Sequence, residues 1–352
     1  MAAEDSHEKI ELYPKLEQAF FSRSLNKREW EQLKRRCESY QSGEERLWND
    51  AILPAYSQYF GFLSALKAKA TLLELENYGY LKIFQGKPFS LIDFGSGTLG
   101  GTLGSLDFFR AHPEYQLERI TAIDRDLTAT TWAQVEFSSF LPETLELHKN
   151  FTPSPLSNTI FLAIDVLNEM GLMDENDSLQ AEVSWLQLFE TVIRTSNESS
   201  LFIFIEPANK KINRNFLRFR DHMSRHSTVL LPCTHQLPCP ALETDDWCHE
   251  ERRYRAPSAY WNLVHSMGFE RSRLAYSLLC IGKQNSRFSD TQSRMVSRPL
   301  KTKGKCEKWF CGNGTRWKIT QLDRNRSEKA SFFDAERGDI LDSSSTGWLR
   351  PD

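Results

Sequence analysis

The chain has 352 residues, 40% of them hydrophobic and 26% charged, with a net charge of -3. That length predicts two or three domains with a sizeable core. A mean hydropathy of -0.51 and the lack of any long apolar run exclude a helical membrane span.

Met1 to Lys9 has no apolar stretch and is acidic rather than Arg-rich, which disfavours both a secretory signal and a mitochondrial transit peptide. A bacterial cytoplasm is therefore expected, with a mitochondrial matrix as the alternative. Residues 1–86 read as an N-terminal helical subdomain. Leu63, Leu66, Ala70, Leu73 and Leu75 recur at three- and four-residue spacing, Pro14 and Pro54 punctuate, and Gly43 separates two helices. At Lys87-Pro88 the pattern changes. A strand over Phe89 to Phe94 leads into the loop Gly95 to Gly101, then into a helix through Leu103, Leu106, Phe108 and Phe109. Further strands are expected over Arg119–Asp124, Thr159–Val166 (with Phe161-Leu-Ala-Ile-Asp165 at its centre) and Ser200–Pro207, with a helix over 180–194. A helix over 258–267 and a strand over 273–282 close a domain spanning 87–282. This alternation predicts an α/β fold: a parallel sheet with helices on both faces. Residues 283–352 read as a basic extension holding one small β-hairpin, Lys308–Cys311 with Arg316–Thr320 around Gly312-Asn313-Gly314.

Charge is unevenly spread. Arg294 to Lys329 carries eleven Lys/Arg against three Asp/Glu, leaving about -11 elsewhere. Lys210, Lys211, Arg214, Arg218, Arg220 and Arg225 form a second basic run, opposed by Asp221 alone. Basic stretches in an acidic protein point to a polyanion surface, most commonly nucleic acid; the plain alternative is a solvated helix face.

Gly95-x-Gly97-x-x-Gly100 fits the dinucleotide fingerprint, a weak signal by itself. Its setting strengthens it. Glycine permits close backbone approach, the following helix offers free N–H groups, and Asp124 ends the next strand where ribose hydroxyls would lie. NAD and S-adenosylmethionine are both open at this point. Asp93, two residues before the first glycine, tips the balance, because Leu91-Ile-Asp-Phe-Gly-Ser-Gly97 resembles motif I of class I S-adenosylmethionine methyltransferases. The resemblance implies a Rossmann-like methyltransferase domain in which Gly95, Ser96 and Gly97 cradle the methionine part and Asp93 holds it. Asp165, Asn168 and Glu169 are further candidates for the pocket wall. The Asn/Asp-Pro-Pro-Tyr motif frequent in methyltransferases of exocyclic amines is missing from Ala163–Met170, and no general base is evident. The catalytic residues stay unassigned.

Cys233, Cys239 and Cys248 fall within sixteen residues, flanked by Pro232, Pro238 and Pro240. Proline stiffens the backbone and blocks helix, so these thiols sit on rigid loop in a cysteine insert, 231–256. Clustered thiols without a signal point to a reducing compartment and a soft metal or an iron–sulfur cluster rather than disulfides. Zinc remains an alternative, although no paired C-x2-C is present. The fourth ligand is open among Cys280, Cys306, Cys311, His235 and His249. Cys280, in Leu278-Leu-Cys-Ile281, reads as a buried small hydrophobe, and Cys37 as solitary.

Together these residues resemble a mitochondrial and bacterial methyltransferase-like family associated with the small ribosomal subunit. Its inserted Cys-Pro-His…Cys-Pro…Trp-Cys-His segment matches Cys233, His235, Cys239-Pro240 and Trp247-Cys248-His249. Its downstream pattern matches Arg298-Pro299, Gly304, Cys311, Gly314 and Gly338-Asp339, and its strand-end pair matches Glu206-Pro207. The resemblance, over roughly 85–340, implies a [4Fe–4S] cluster on Cys233, Cys239, Cys248 and Cys311, and contact with 16S-type rRNA of the small subunit. It also implies a monomer free of membrane. Cys306, a thiol beyond the pattern, and Ala208-Asn209, where the family tends to have glycine, are departures. An rRNA methyltransferase is the leading expectation. A non-catalytic assembly factor and a small-molecule methyltransferase with a structural metal are its alternatives, and an NAD oxidoreductase ranks last.

Overall fold

Pro88 starts a run of apolar residues that forms the centre of the main sheet. The computed structural model describes residues 9–42, 51–170, 179–268, 272–326 and 330–342; Gly43 lies outside them. The main sheet is built from β1 (Pro88–Phe94), β2 (Gln116–Ile123), β3 (Leu145–His148), β4 (Thr159–Ile164), β5 (Ser200–Pro207), β6 (Thr228–Leu231), β7 (Glu250–Arg252) and β8 (Leu274–Gly282). Their order is β3-β2-β1-β4-β5-β8-β6, with β7 also paired to β8. The first five strands run parallel, whereas β8 lies antiparallel between β5 and β6. A reversed strand between the fifth and sixth distinguishes the class I methyltransferase sheet from the dinucleotide-binding order. The all-parallel expectation is corrected at this edge. Residues 228–231 had not been read as a strand, so the reversal was not visible.

Burial on both faces produces the continuous apolar runs. On β5, Leu201, Ile203 and Ile205 enter one core and Phe202 and Phe204 the other. The first core is shared with the N-terminal helices: α1 (Pro14–Phe20), α2 (Lys27–Ser42), α3 (Leu53–Tyr56) and, after a π-helical turn at Ser57–Gly61, α4 (Phe62–Asn77). It also takes α5 (Gly100–Ala111), α6 (Leu127–Glu136) and α9 (Ser258–Ser266). The second takes α7 (Leu179–Thr195) and α8 (Lys210–Met223). α4 and α5 approach backbone to backbone, and a Cβ on Gly104 would stand 2.1 Å from the Ala65 carbonyl oxygen. Local signals set the helix starts. Asp126 caps α6 by accepting from the Thr128 N–H, and Asn209 caps α8 by accepting from Lys211 and Ile212. The departure at Asn209 therefore supplies a helix cap.

The C-terminal extension holds more than the expected hairpin. Five strands, β9 (Gln292–Met295), β10 (Leu300–Thr302), β11 (Lys305–Gly312), β12 (Thr315–Leu322) and β13 (Ile340–Asp342), form a second sheet. One face packs Met295, Cys306, Phe310 and Trp317 against Phe332 and Phe333 of α10 (Ala330–Asp334). Among the described residues, no helix is long and apolar enough to cross a membrane.

Candidate functional site

Two cavities gather the residues singled out from sequence. The larger, about 330 Å³, lies where β1, β2 and β4 end. Asp93, Gly95, Ser96, Gly97, Asp124 and Asp165 all line it, with Phe151, Glu169 and Trp185. The glycine loop needs its glycines. Gly95 has φ +71 and a Cβ there would collide with Val166 at 2.3 Å, while Gly97 has φ +48 and a Cβ there would meet only open space. Bonds from strand ends hold the loop. Asp124 accepts from the Gly97 N–H at 2.9 Å, and Ser96 Oγ lies 3.3 Å from Thr130 Oγ1 on α6.

Asp93 is fully enclosed and accepts from both the N–H and the hydroxyl of Thr102, at 2.9 and 2.7 Å. Burial raises its carboxyl to about 6 even though those two bonds favour the charged form. Asp124 is raised by burial too, against backbone bonds from Asp126 and Gly97. Asp165 takes the left-handed conformation, φ +55. Its Oδ2 meets Lys67 Nζ at 2.6 Å, and its buried Oδ1 has no hydrogen-bond partner. Glu206, at the end of β5, accepts from the Leu167 and Asn168 N–H groups and so shapes the turn after β4. Burial, then Asp165, pushes its carboxyl well up. Sequence reasoning missed the contribution of α4. Lys67 is one member of an ordinary amphipathic pattern, and nothing local ties it to a strand end about a hundred residues away.

The smaller cavity, about 40 Å³, is lined by Cys233, Cys239, Cys248 and Cys311, together with His235, His249, Arg220 and Arg316. Cys306 is not among its lining residues; it is buried in the core of the second sheet, and Cys280 in the first core. Cys311, on β11, comes within 3.7 Å of His235 Nε2. The four thiols influence one another. Burial, then Cys233 and Cys248, pushes Cys239 up to about 12; burial, then Cys233, Cys248 and Cys239, pushes Cys311 well up. Burial also raises Cys248, with Arg316 opposing it. Burial and then Arg220 lower His235 to about 4, so its ring is neutral. Among the described residues, the one group of three or more metal-ligating atoms all within 4.8 Å of one another is Glu190, His222 and His226. No three of the four sulfurs lie that close together.

Helix α8 holds the thiol loop in place. Arg214 Nη1 donates to the carbonyls of Ala241, Thr244 and Asp246, at 3.2, 2.6 and 2.7 Å. The buried Arg220 donates to the His235 and Leu237 carbonyls, at 2.8 and 2.6 Å. Asp221 accepts from the Cys239 N–H, and Asn213 Oδ1 from the Cys248 N–H. The basic run on α8 was expected to be either a polyanion surface or a solvated face. Arg214 and Arg220 instead turn inward onto the cysteine loop, whose carbonyls have no strand partner and need donors. Much of the extension's charge is likewise internal. Arg294 bonds Glu74 and Glu250, Lys308 donates to the carbonyls of Phe332, Phe333 and Ala335, and Arg316 pairs with Asp246.

The sequence matches the family model described as mitochondrial small ribosomal subunit Rsm22 over residues 81–335. No curated protein sequence matches the chain. Among solved structures, it is similar to a Pyrococcus horikoshii protein provisionally described as an RNA methyltransferase, at 11% identity and TM-score 0.38, over 72% of this chain and 100% of that one. It is also similar to a Listeria monocytogenes protein provisionally described as a class I S-adenosylmethionine-dependent methyltransferase, at 13% identity and TM-score 0.38, over 77% of this chain and 73% of that one. A third likeness is to the plantazolicin methyltransferase BpumL in complex with SAH, at 12% identity and TM-score 0.35, over 76% of this chain and 94% of that one.

Proposed function

The chain belongs to the mitochondrial small ribosomal subunit Rsm22 family, and we propose that it is an S-adenosylmethionine-dependent methyltransferase of the small ribosomal subunit that also carries a [4Fe–4S] cluster. The observation that carries the donor assignment is the 330 Å³ pocket at the ends of β1, β2 and β4. Its residues fit the donor. Gly97 leaves open space where any other residue would place a Cβ, and carboxylates suit a ligand with an amino group and a sulfonium. Asp124 would take the ribose hydroxyls, and Asp93 and Gly95 to Gly97 the methionine part. Bound donor supplies an electrophilic methyl group. The chain contributes orientation, and Phe151 and Trp185 exclude water from the pocket wall.

The residues fit a cluster as well. Four buried or half-buried thiols converge on one cavity, and burial together with the neighbouring sulfurs disfavours the thiolate at Cys239 and Cys311 unless a cation is there to hold it. Tetrahedral zinc, with Zn–S bonds of about 2.3 Å, would draw sulfurs to within roughly 4 Å of one another. A set of four thiols lining one cavity is also the donor set that a [4Fe–4S] cluster takes. Cys233, Cys239, Cys248 and Cys311 would be its ligands. The family description favours the mitochondrial matrix over the bacterial cytoplasm expected from the N-terminus.

A second reading, a non-catalytic assembly factor, draws on the turn Asp165-Val-Leu-Asn168, where Lys67 occupies one oxygen of Asp165. Transfer of labelled methyl from donor to small-subunit particles by anaerobically purified protein, with iron and sulfide analysis, tests both parts. Absence of transfer in the presence of tight donor binding supports the second reading. Stoichiometric zinc without sulfide removes the cluster.

A further inference from the structure

Most of the extension's cations are consumed internally, which draws attention to those that stand on an open surface. Six large hydrophobic side chains stand exposed among the described residues, and three of them share the second sheet: Leu300 (47% exposed) on β10, Trp309 (37%) on β11 and Leu322 (39%) on β12. Their register places them on one face. Leu300 pairs with Glu307, Lys305 with Leu322, and Trp309 with Lys318. The alternate residues of β11, Cys306, Lys308 and Phe310, enter the core on the other face. Exposed Lys303 borders the open face at the β10–β11 turn, exposed Lys318 stands opposite Trp309, and exposed Arg324 follows β12, whereas Lys301, opposite Cys306, belongs to the other face. Of the two acids in that area, Asp323 and Glu307, the latter is already bonded to Lys305 and Lys318 at 3.2 Å each.

We propose that the open face of β10–β11–β12 is a docking platform for single-stranded RNA, with Trp309 as the stacking residue and Lys303 and Lys318 as phosphate contacts. This rests on the small-subunit reading above and names the surface that meets the RNA. An aromatic ring set among lysines on an open sheet suits bases that stack and phosphates that pass between cations. A protein partner is the less fitting occupant, because protein interface cores are depleted in lysine. A flat sheet face also cannot reach the bases of an A-form helix through its deep, narrow major groove, so the RNA is unpaired. The platform is continuous with the thiol cavity. Cys311 is the next residue of β11 on the Trp309 side, so whatever fills that cavity also fixes the strand that presents the tryptophan.

The test is fluorescence anisotropy of a labelled 12-nucleotide oligouridylate with the full-length protein carrying its metal, across a salt series. Trp309→Ala should weaken binding about tenfold or more, and Trp309→Phe should restore most of it. Lys303→Gln with Lys318→Gln should flatten the log–log salt slope by about 1.4, from about 0.7 per phosphate contact on a single strand. Wild-type binding with all these variants unchanged overturns the platform and leaves the small-subunit reading standing. A wild-type protein that binds neither the oligonucleotide nor purified small subunits removes that reading as well. Loss of subunit binding without loss of oligonucleotide binding assigns the face to a ribosomal protein and overturns the RNA proposal.

Discussion

Arg294 is the residue through which the extension is most tightly fastened to the rest of the chain. From β9 it donates to Glu74 on α4 at 2.7 Å, and to Glu250 on β7 at 2.6 and 3.1 Å. All three side chains are buried or nearly so. Burial alone would raise the Glu250 carboxyl, but Arg294 and Arg252 outweigh it and hold the group at about 2. Arg294→Met removes one guanidinium from two buried carboxylates. Breaking a buried pair from one side costs about 3–5 kcal/mol. Arg252 remains beside both acids, donating to Glu250 at 2.8 Å and also to Glu74, so the lower end, about 3 kcal/mol, is expected. At about 2–4 °C per kcal/mol for a unit of this size, the melting temperature should fall by about 6–12 °C.

The pH dependence carries a second signature. A carboxyl whose folded pKa lies below its unfolded value, about 4.3, stabilises the fold above that value. That contribution is lost as pH falls from about 4.3 towards the folded value of about 2. With Arg294 gone the folded pKa rises, so the acid limb of the stability curve should move to higher pH. Thermal melts followed by circular dichroism at pH 7.5 and 4 measure both effects. Adding Glu250→Met should recover part of the loss, because the uncompensated charge is then removed. A fall of less than about 2 °C in the single variant, or a double variant worse than either single, would refute the reasoning.

Three further outcomes are expected. Gly97→Val should abolish donor binding by calorimetry while shifting the melting temperature only a few degrees, since the new side chain enters open pocket at a cost of about 1–2 kcal/mol for the left-handed backbone. Acidification from pH 7.5 to 5.5 should act oppositely on fold and ligand. Protonating Asp93 near 6 relieves a buried charge and raises the apo melting temperature, whereas a cationic donor loses a carboxylate and binds more weakly; thermal shift with and without donor reads both. Cys311→Ser should eliminate any visible absorbance of the anaerobically purified protein, while Cys306→Ser, buried at 1% exposure in another core, should retain it at reduced stability.

The donor pocket was legible because its parts are local in the chain: Asp93, the glycine loop and the start of α5 lie within ten residues, and Asp124 ends the next strand. β3 escaped notice because Leu145-Glu-Leu-His148 is short and lies at a sheet edge. β8 was found as a strand, but its direction depends on which neighbour it meets. The second sheet was hidden for a different reason. Its strands carry Arg294 and Lys308 at buried positions, and a lysine or arginine in sequence reads as solvated unless its partner is in view. The partners are Glu74, 220 positions away, and carbonyls 24 to 27 positions away. The same holds for α8, whose arginines looked outward until the loop carbonyls they serve were placed.

The two cavities are mechanically joined through β5 and α8. At the end of β5, Glu206 fixes the turn after β4 that lines the donor pocket. Three residues later Asn209 starts α8, whose Phe216, Phe219 and Met223 pack into the core beneath β5. The polar face of the same helix holds Cys239 and Cys248 by their backbones, through Asp221 and Asn213. Asn213 also donates to Ser277 on β8, the reversed strand. A close-packed unit of this kind transmits displacement rather than absorbing it. Movement of the thiol loop therefore bears on α8 first and on the Glu206 turn second. The cavity that Cys311 completes is thus tied on one side to the sheet presenting Trp309 and on the other to the pocket containing Asp165. A cluster bound there, as proposed, would brace both attachments together, and Cys311→Ser should loosen both.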